Sequence, residues 1–594
     1  MASGVNPISV LGRLSLIDTP RLASIITAVM QRLVTAGQMQ ELDRRTIAER
    51  GIPGLTLMEN AGRAVVEFME SHLGNLAGTQ PLVVCGKGNN GGDGFVVTWL
   101  LLAKGAKPDC ILLGNSSELS GDARTNYQRL KDSGFPVREV PQGDSLQPPA
   151  PDPRPPTPSP LEPLFQDRKL IIDAVFGTGL TRAPAGIAAE VITLINQSGA
   201  YVVAVDLPSG LDSDTGVPYE PTTNADLTVT MALPKLGLWL YPGRAHAGTV
   251  EVADIRSGIG DQGTGNGVRT PTPDNQVFLL DSDYVRSLIP ARRPDGHKGT
   301  FGSALIIAGS RGFSGAACLA GRAAVRSGCG LVHLAIPSGI ADIVESCVLE
   351  AVKTPLPQTE EAALSPAALE SILELSGESD AVAIGPGIGT DRRTRDLELA
   401  FLAEVEKPTL IDADGINNLA GRLALLAHAR AGLVLTPHPG ELSRLTGLKP
   451  AEINADRVGV SRRFATERKV VLVLKGASTV VAAPDGRAFV NPTGNSGLAA
   501  GGTGDVLTGL IVGLMAQGMS PLDAACAGVF LHGLAADIAV QTLTEYCLAA
   551  GDLPGYLPKA FAAVLGEGFK GSGGQGFRFE PPNPRTPEPQ NPVP

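Results

Sequence analysis

Two series of short apolar runs dominate the sequence, and nearly every run stops on glycine, on aspartate or on a His-Pro-Gly step. In the first series Leu82–Cys85 meets glycines and residues 170–175 carry Asp173 into Gly-Thr-Gly. Tyr201–Val205 ends on Asp206 and Pro-Ser-Gly, and Leu227–Met231 follows. In the second series residues 304–308, Ala381–Ile384, Thr409–Ile411, 432–435 and 470–474 repeat the logic. Helical patterns lie between the runs, at 95–102 in the first series and at 503–515 and 521–539 in the second. Runs this short and this continuously apolar predict strands buried on both faces. Helices between them predict parallel sheets. The fold class read here is therefore α/β, with ligands held beyond the carboxyl ends of the strands, where the polar motifs fall.

A chain of 594 residues is too long for one ordinary core. Its composition, 43% hydrophobic and 18% charged, is that of globular units. Two stretches cannot be core: residues 141–163 hold ten prolines and residues 581–594 hold seven, and proline at that density blocks helix and sheet alike. The first reads as an extended loop inside a domain and the second as a disordered tail. Residues 258–275 mix Gly, Thr, Pro and Asp and read as a linker. The expected organisation is an extension over 1–34, a first domain over 35–257, the linker, a second domain over 276–565 and a tail over 566–594.

The net charge of −11 argues against nucleic acid and anionic membranes as partners, while leaving room for a phosphate site built from backbone N–H groups. Seven scattered cysteines without a CxxC pair favour reduced thiols over a disulfide frame or a zinc site. Residues 1–35 lack the pattern of a secretory leader. No uninterrupted apolar run reaches the roughly 20 residues a spanning helix needs. A cytoplasmic, soluble protein follows, with small-molecule partners and a homo-oligomer expected.

The first polar constellation opens with GKGNNGGDG, between a strand and a helix. Glycines alone would make only a tight turn. Asn89, Asn90 and Asp93 among them are poorly explained by packing. Asp173 and Asp206 each end an apolar run, where one carboxylate could simply cap a turn. Two of them, with Ser209 and Asn90, offer oxygen ligands for a hard cation. The ordered set TAGQMQELD, GKGNNGGDG, DAVFGTGL, VDLPSGLDSDTG and ALPKLG resembles the NAD(P)H-hydrate epimerase family over about residues 35–254. That resemblance implies a Rossmann-like three-layer α/β/α domain. It also implies that the hydrated cofactor is contacted by Asn89, Asn90, Gly91, Gly92 and Asp93, by Gly177, Thr178, Gly179, Leu180, Thr181, Arg182 and Ala183, and by Asp206. Asn90, Asp173 and Ser209 would hold a potassium ion, K+. The substrate is a carbinolamine, whose C6 centre can invert through loss and return of oxygen if an acid–base group moves a proton. Asp173 is the first choice for that group. Lys235 is the second, since a lone lysine is more often a solvated surface charge. Lys87 stands free to add a phosphate contact.

The second constellation centres on NSGLAAGGTGDVLTG, where glycines lead into a helix and gather N–H groups and the positive end of its dipole. Asp505 falls in the first turn, where an aspartate can also serve only to stabilise the helix. His438-Pro-Gly-Glu441, Lys475-Gly-Ala-Ser-Thr479, Gly385-Pro-Gly-Ile-Gly389 and Asp412-Ala-Asp414 each follow an apolar run. With HKGTFGSALIIAGS, which begins at His297, they resemble the NAD(P)H-hydrate dehydratase family, a branch of the ribokinase-like α/β fold, over residues 277–565. The resemblance implies that Ala304, Gly387, His438 and Asp505 contact the hydrate. It assigns Lys475, Gly476, Ala477, Ser478, Thr479 and Gly504 to the adenine nucleotide, with ADP as co-substrate and Mg2+ beside it. Asp505 would take the proton of the C6 hydroxyl as its oxygen attacks the terminal phosphate. The rival reading, a small-molecule kinase fused to a binding domain, leaves the first half without a role. Kinases of that fold usually carry Asn-x-x-Glu where this chain has His438-Pro-Gly-Glu441.

Overall fold

The structure, a computed structural model, describes residues 30–141, 159–255, 276–428 and 430–566. Residues 1–29 of the expected extension, residues 142–158 of the proline-rich insertion, the whole expected linker and all of the tail beyond residue 566 lie outside these residues.

The first sheet contains β1 (Leu82–Cys85), β2 (Asp109–Leu113), β3 (Val137–Val140), β4 (Leu170–Ala174), β5 (Tyr201–Val205), β6 (Leu227–Met231) and β7 (Thr249–Ala253). Its order is β3-β2-β1-β4-β5-β6-β7, parallel throughout. The order reverses between β1 and β4, and an open parallel sheet binds its ligand in the crevice at such a reversal. The helix after β1 runs over Asn89–Ala103. The Asn-Asn-Gly-Gly-Asp part of the glycine motif is therefore the helix's first turns rather than the loop before it. Glycine is needed for this seating: a Cβ on Gly91 would fall 1.9 Å from Gly86 O, and one on Gly94 would fall 2.7 Å from both Ala174 Cβ and Cys85 Sγ.

The second sheet contains β8 (Val277–Leu279), β9 (Ser303–Ile307), β10 (Leu331–Pro337), β11 (Val352–Leu356), β12 (Ala381–Ile384), β13 (Thr409–Ile411), β14 (Leu433–Leu435), β15 (Val471–Leu474), β16 (Val480–Ala482) and β17 (Ala488–Val490). Its order is β11-β10-β9-β12-β13-β14-β15-β16-β17-β8, parallel except where β16 pairs antiparallel with β15 and β17. Its reversal lies between β9 and β12. Helix Thr503–Ala516 is buried along most of its length and crosses helix Ser314–Arg326 closely, because a Cβ on Gly509 would fall 2.0 Å from Ala320 O. The longest helix, Pro521–Cys547, is apolar and long enough to cross a membrane by length and composition, with a mean hydropathy of 1.4. It packs as a core helix, with 78% of that window buried inside the fold.

The last residues of the expected N-terminal extension are built into the fold. Leu33 N–H donates to Val277 O and Leu279 N–H to Gln31 O, while Val34 N–H donates to Pro234 O and Leu236 N–H to Val34 O. One short segment thus pairs with β8 of the second sheet and with the 234–236 turn of the first half. Leu33, Leu236, Leu240, Val277, Leu279, Val458 and Val480 share one apolar cluster between the halves.

Two candidate active sites

At the reversal of the first sheet, Asp173 is fully buried near the end of β4. Its Oδ1 accepts from the Ser209 hydroxyl at 2.6 Å and from Val175 N–H at 3.2 Å, and its Oδ2 accepts from Ser209 N–H at 2.8 Å. Burial raises its pKa, and the Ser209 hydrogen bonds oppose the rise. Phe176 N–H donates to the same Ser209 oxygen at 2.8 Å. The next residue, Gly177, lies against Asn90, whose side chain a Cβ there would meet at 3.4 Å. Asn90 is buried, and neither end of its amide has a hydrogen-bond partner. Asn90, Asp173 and Ser209 are thereby gathered under the 177–183 loop, whose residues are partly or fully exposed.

A second cluster of the first half forms at the end of β5. Asp206 adopts φ 67°. Its Oδ1 accepts from Met231 N–H at 3.1 Å, from the Thr230 hydroxyl at 3.2 Å and from the Lys235 ammonium. Lys235 is only 1% exposed and also donates to Met231 O at 2.9 Å. The expectation of a solvated surface charge is therefore wrong here: the ammonium is buried because Asp206 neutralises it. The half-buried Asp93 lies close enough to feel both charges. Burial first, then Asp206, holds its carboxyl well above the usual range, and Lys235 acts against that rise. Lys87 is not free for phosphate in this structure, since its ammonium pairs with Glu118 at 2.8 Å on the surface.

The second site is built around Asp412, buried just past β13. Its Oδ1 accepts from the Lys475 ammonium at 2.7 Å and from the Thr436 hydroxyl at 2.7 Å, and its Oδ2 accepts from the Thr508 hydroxyl at 2.8 Å. Lys475 also faces Glu441 Oε2 at 3.8 Å. Burial would depress the Lys475 pKa, but Asp412 and Glu441 carry it above the ordinary value. Gly502, at φ 94°, turns the chain into the Thr503–Ala516 helix. A Cβ on Gly504 would stand 3.3 Å from Lys475 Nζ, so the ammonium lies against the helix's first turn, where unpaired N–H groups favour an anion. Asp505 stands in that turn. Burial, with Asp412 next, raises its pKa to about 7, against the pull of Lys475.

His438 caps the Pro439–Thr446 helix: its Nδ1 accepts from Gly440 N–H at 3.0 Å, while Glu441 Oε2 accepts from His438 N–H at 2.8 Å. Burial, then Lys475, lowers the His438 pKa. Gly387, at φ 61°, lies against Phe313 and Ala316, and its carbonyl accepts from the Ser310 hydroxyl at 2.7 Å. Ala304 is not at this edge. It is fully buried in the amino-terminal half of β9 and registers with Val332 and Ala381. The residues of that motif that do reach Gly387 follow the strand's other end, at Ser310, Phe313 and Ala316. The 475–479 loop joins β15 to β16 with Gly476 and Ala477 exposed. The Ser478 hydroxyl donates across to Trp239 O of the first half at 2.6 Å. Thr436 and Thr508 gave no sign in the sequence of sharing one carboxylate, although each lies within a motif.

Comparison with known proteins agrees with this division. A family model described as NAD(P)H-hydrate dehydratase matches residues 304–558, and one described as YjeF-related protein N-terminus matches residues 54–237. The bifunctional NAD(P)H-hydrate repair enzyme of Moorella thermoacetica is 43% identical over 530 residues, covering 89% of this chain and 96% of that protein. The enzyme of the same name from Escherichia coli is 34% identical over 504 residues, covering 85% and 88%. Among solved structures, an ADP/ATP-dependent NAD(P)H-hydrate dehydratase from Bacillus subtilis is 32% identical, covers 48% of this chain and 97% of that one, and superposes with a TM-score of 0.41. With relatives matched along nearly their whole length, this chain belongs to the family of bifunctional NAD(P)H-hydrate repair enzymes.

Proposed function

We propose that the chain repairs hydrated NADH and NADPH, its first half interconverting the R and S hydrates at C6 and its second half dehydrating the S form at the expense of ADP, giving AMP and phosphate. The observation that carries the reading is Asp505, a carboxyl with its pKa near 7 in the first turn of a glycine-led helix, beside the Lys475 ammonium. Such a carboxylate is basic enough to take the C6-hydroxyl proton. The hydroxyl oxygen then bonds to the terminal phosphorus of ADP as the bond to AMP breaks. Lys475 and the N–H groups of the helix start bear the charge that builds on the transferred group. The ring nitrogen expels phosphate from C6, and loss of the C5 proton restores the ring double bond. The 475–479 loop and Gly504 form the nucleotide side of this site, and His438 and Gly387 the hydrate side.

In the first half, Asn90, Asp173 and Ser209 supply only oxygen donors, and the buried, unpartnered Asn90 amide fits a cation ligand. K+ held there would balance the buried Asp173 charge. Asp173 already accepts three hydrogen bonds, so we assign proton transfer instead to the Asp93, Asp206 and Lys235 cluster. In this reading Asp93 donates a proton to the C6 hydroxyl, which leaves as water while the nitrogen lone pair forms the C6–N double bond. Return of water to the opposite face gives the other epimer and hands the proton back to Asp93. Magnesium belongs with the nucleotide's phosphates: no group of three or more His, Cys, Asp or Glu side chains among the described residues is placed to hold a metal ion alone.

The test is to incubate the protein with mixed hydrate epimers, with and without ADP, and to follow the absorbance of the reduced nicotinamide. Complete conversion with ADP supports both activities. Conversion of one epimer only would remove the epimerase reading, and a stable phosphorylated product would favour a kinase.

A further inference from the structure

Behind the Gly385–Gly389 loop lies a buried polar pair that the reaction does not use. Glu398, on helix Arg392–Glu404, is 0% exposed, and Asn418, at the end of the short helix Asp414–Asn418, is 2% exposed. Asn418 Nδ2 donates to Glu398 Oε2 at 2.8 Å and to Gly389 O at 3.2 Å. Two acceptors at the same end of the amide identify that end as the NH2 group, which leaves Oδ1 pointing elsewhere. The atoms left over are Glu398 Oε1 and Asn418 Oδ1. Both are buried and neither has a hydrogen-bond partner. An ionised carboxylate in this place would be an unbalanced buried charge beside two acceptors, its own Oε1 and Asn418 Oδ1, that have no donor. One proton on Glu398 removes the charge and turns one of the two unpaired acceptors into a donor.

We propose that Glu398 is a neutral carboxylic acid that positions the Gly385–Gly389 loop through Asn418. Burial pushes its carboxyl well above the usual range, Asn418 opposes that rise, and Asp414 adds to it. The loop needs such a hold, because Gly385, Gly387 and Gly389 all have positive φ, at 128°, 61° and 89°, and glycine backbones are the least self-ordering. Gly389 is held at both ends: its N–H donates to Asp414 Oδ2 at 3.0 Å and its carbonyl accepts from Asn418. Both partners sit on the helix that Glu398 anchors. Glu398 is thus a positioning residue for the dehydratase, acting on Gly387 without reaching the substrate. This inference rests on the reading of that loop as the hydrate side of the site.

Glutamine keeps a protonated glutamate's uncharged arrangement, donor at one end and acceptor oxygen at the other, whereas alanine removes both. In Glu398→Gln the KM for the S hydrate should stay within about threefold of the parent. In Glu398→Ala it should rise about tenfold or more with a smaller change in kcat, as expected when a binding loop loses its order. Infrared spectra of the full-length protein without substrate should show a protonated-carboxyl C=O band at neutral pH that disappears in Glu398→Gln. Loss of dehydratase activity in the parent itself would count against the function and leave this spectroscopic result standing. A Glu398→Gln protein as impaired as Glu398→Ala, or a parent without that band, overturns the inference. The first result together with K+- or Mg2+-dependent melting of the parent alone would instead make Glu398 a cation ligand.

Discussion

Lys475 Nζ rests 2.7 Å from Asp412 Oδ1, and through this contact two buried charges set the acidity of a third group, Asp505. Asp412 raises the Asp505 pKa and Lys475 lowers it. Asp412→Asn removes the raising charge and frees the lowering one, so both changes act in the same direction. The acid limb of the dehydratase pH profile should move to lower pH. Breaking a buried pair from one side also costs about 3–5 kcal/mol, so the urea midpoint should fall. An acid limb that stays in place in a folded Asp412→Asn protein would separate Asp412 from the chemistry.

Asp505 is the base only when ionised. With a pKa of about 7, kcat/KM for dehydration should climb as pH rises through neutrality and level off above it. Asp505→Asn should lower the rate by ~10²–10⁴-fold, the usual worth of a positioned base, while epimer exchange continues. The stability effect has the opposite sense. A folded-state pKa above the unfolded value means that stability present in acid is lost as pH rises from about 4 through 7. Asp505→Asn should therefore melt higher than the parent at pH 8, and the gap should close by pH 5. Equal melting at both pH values would mean that the carboxyl is not strained by its surroundings.

The strand ends were legible because each joins a fully apolar run to a residue that cannot continue it. That places Asp173, Asp206, Asp412 and the helix start at Asp505 at the carboxyl edges of the sheets from the sequence alone. The shortest strands were not legible. β16 and β17 are three residues each, and only the Pro-Asp-Gly between them marks the turn. Burial of charge was the larger omission. Lys235 ranked second because a lone lysine is usually solvated, and Glu398 carried no signal at all, because their partners, Asp206 and Asn418, are 29 and 20 residues away and only the closed fold brings them together. Ala304 lies in the amino-terminal half of β9, away from the carboxyl ends where open parallel sheets hold ligands, because its motif spans the whole strand.

Asp173 and Asp93 should respond differently to the same substitution. Asp173→Asn keeps an oxygen ligand but turns a three-bond acceptor into a group whose NH2 faces Ser209 or Val175 donors. The protein should melt lower, and any rise in melting temperature given by K+ over choline in the parent should shrink. Asp93→Asn leaves that rise intact and slows epimer exchange by ~10²-fold or more. Both variants should still complete ADP-dependent repair of the S hydrate. If Asp93→Asn exchanges epimers at the parent rate, proton transfer returns to Asp173 or Lys235.

The segment before Thr35 ties the two halves together. Leu33 is 0% exposed and packs in the cluster shared by Leu236 of the first half and Val277, Val458 and Val480 of the second. Its backbone closes the free edge of β8, and an open edge is a template for aggregation. Leu33→Ala removes buried methyl groups at a junction that neither half can refill alone, which should cost ~2–5 kcal/mol. The loss should fall on both activities together, because the 234–236 turn paired with Val34 leads to Lys235 on one side and to Trp239, the acceptor for Ser478, on the other. Thermal inactivation of epimer exchange and of dehydration, measured on the same Leu33→Ala sample, should therefore shift to lower temperature in parallel. If only one activity shifts, the halves unfold independently and the 30–34 segment is a seam rather than a shared core.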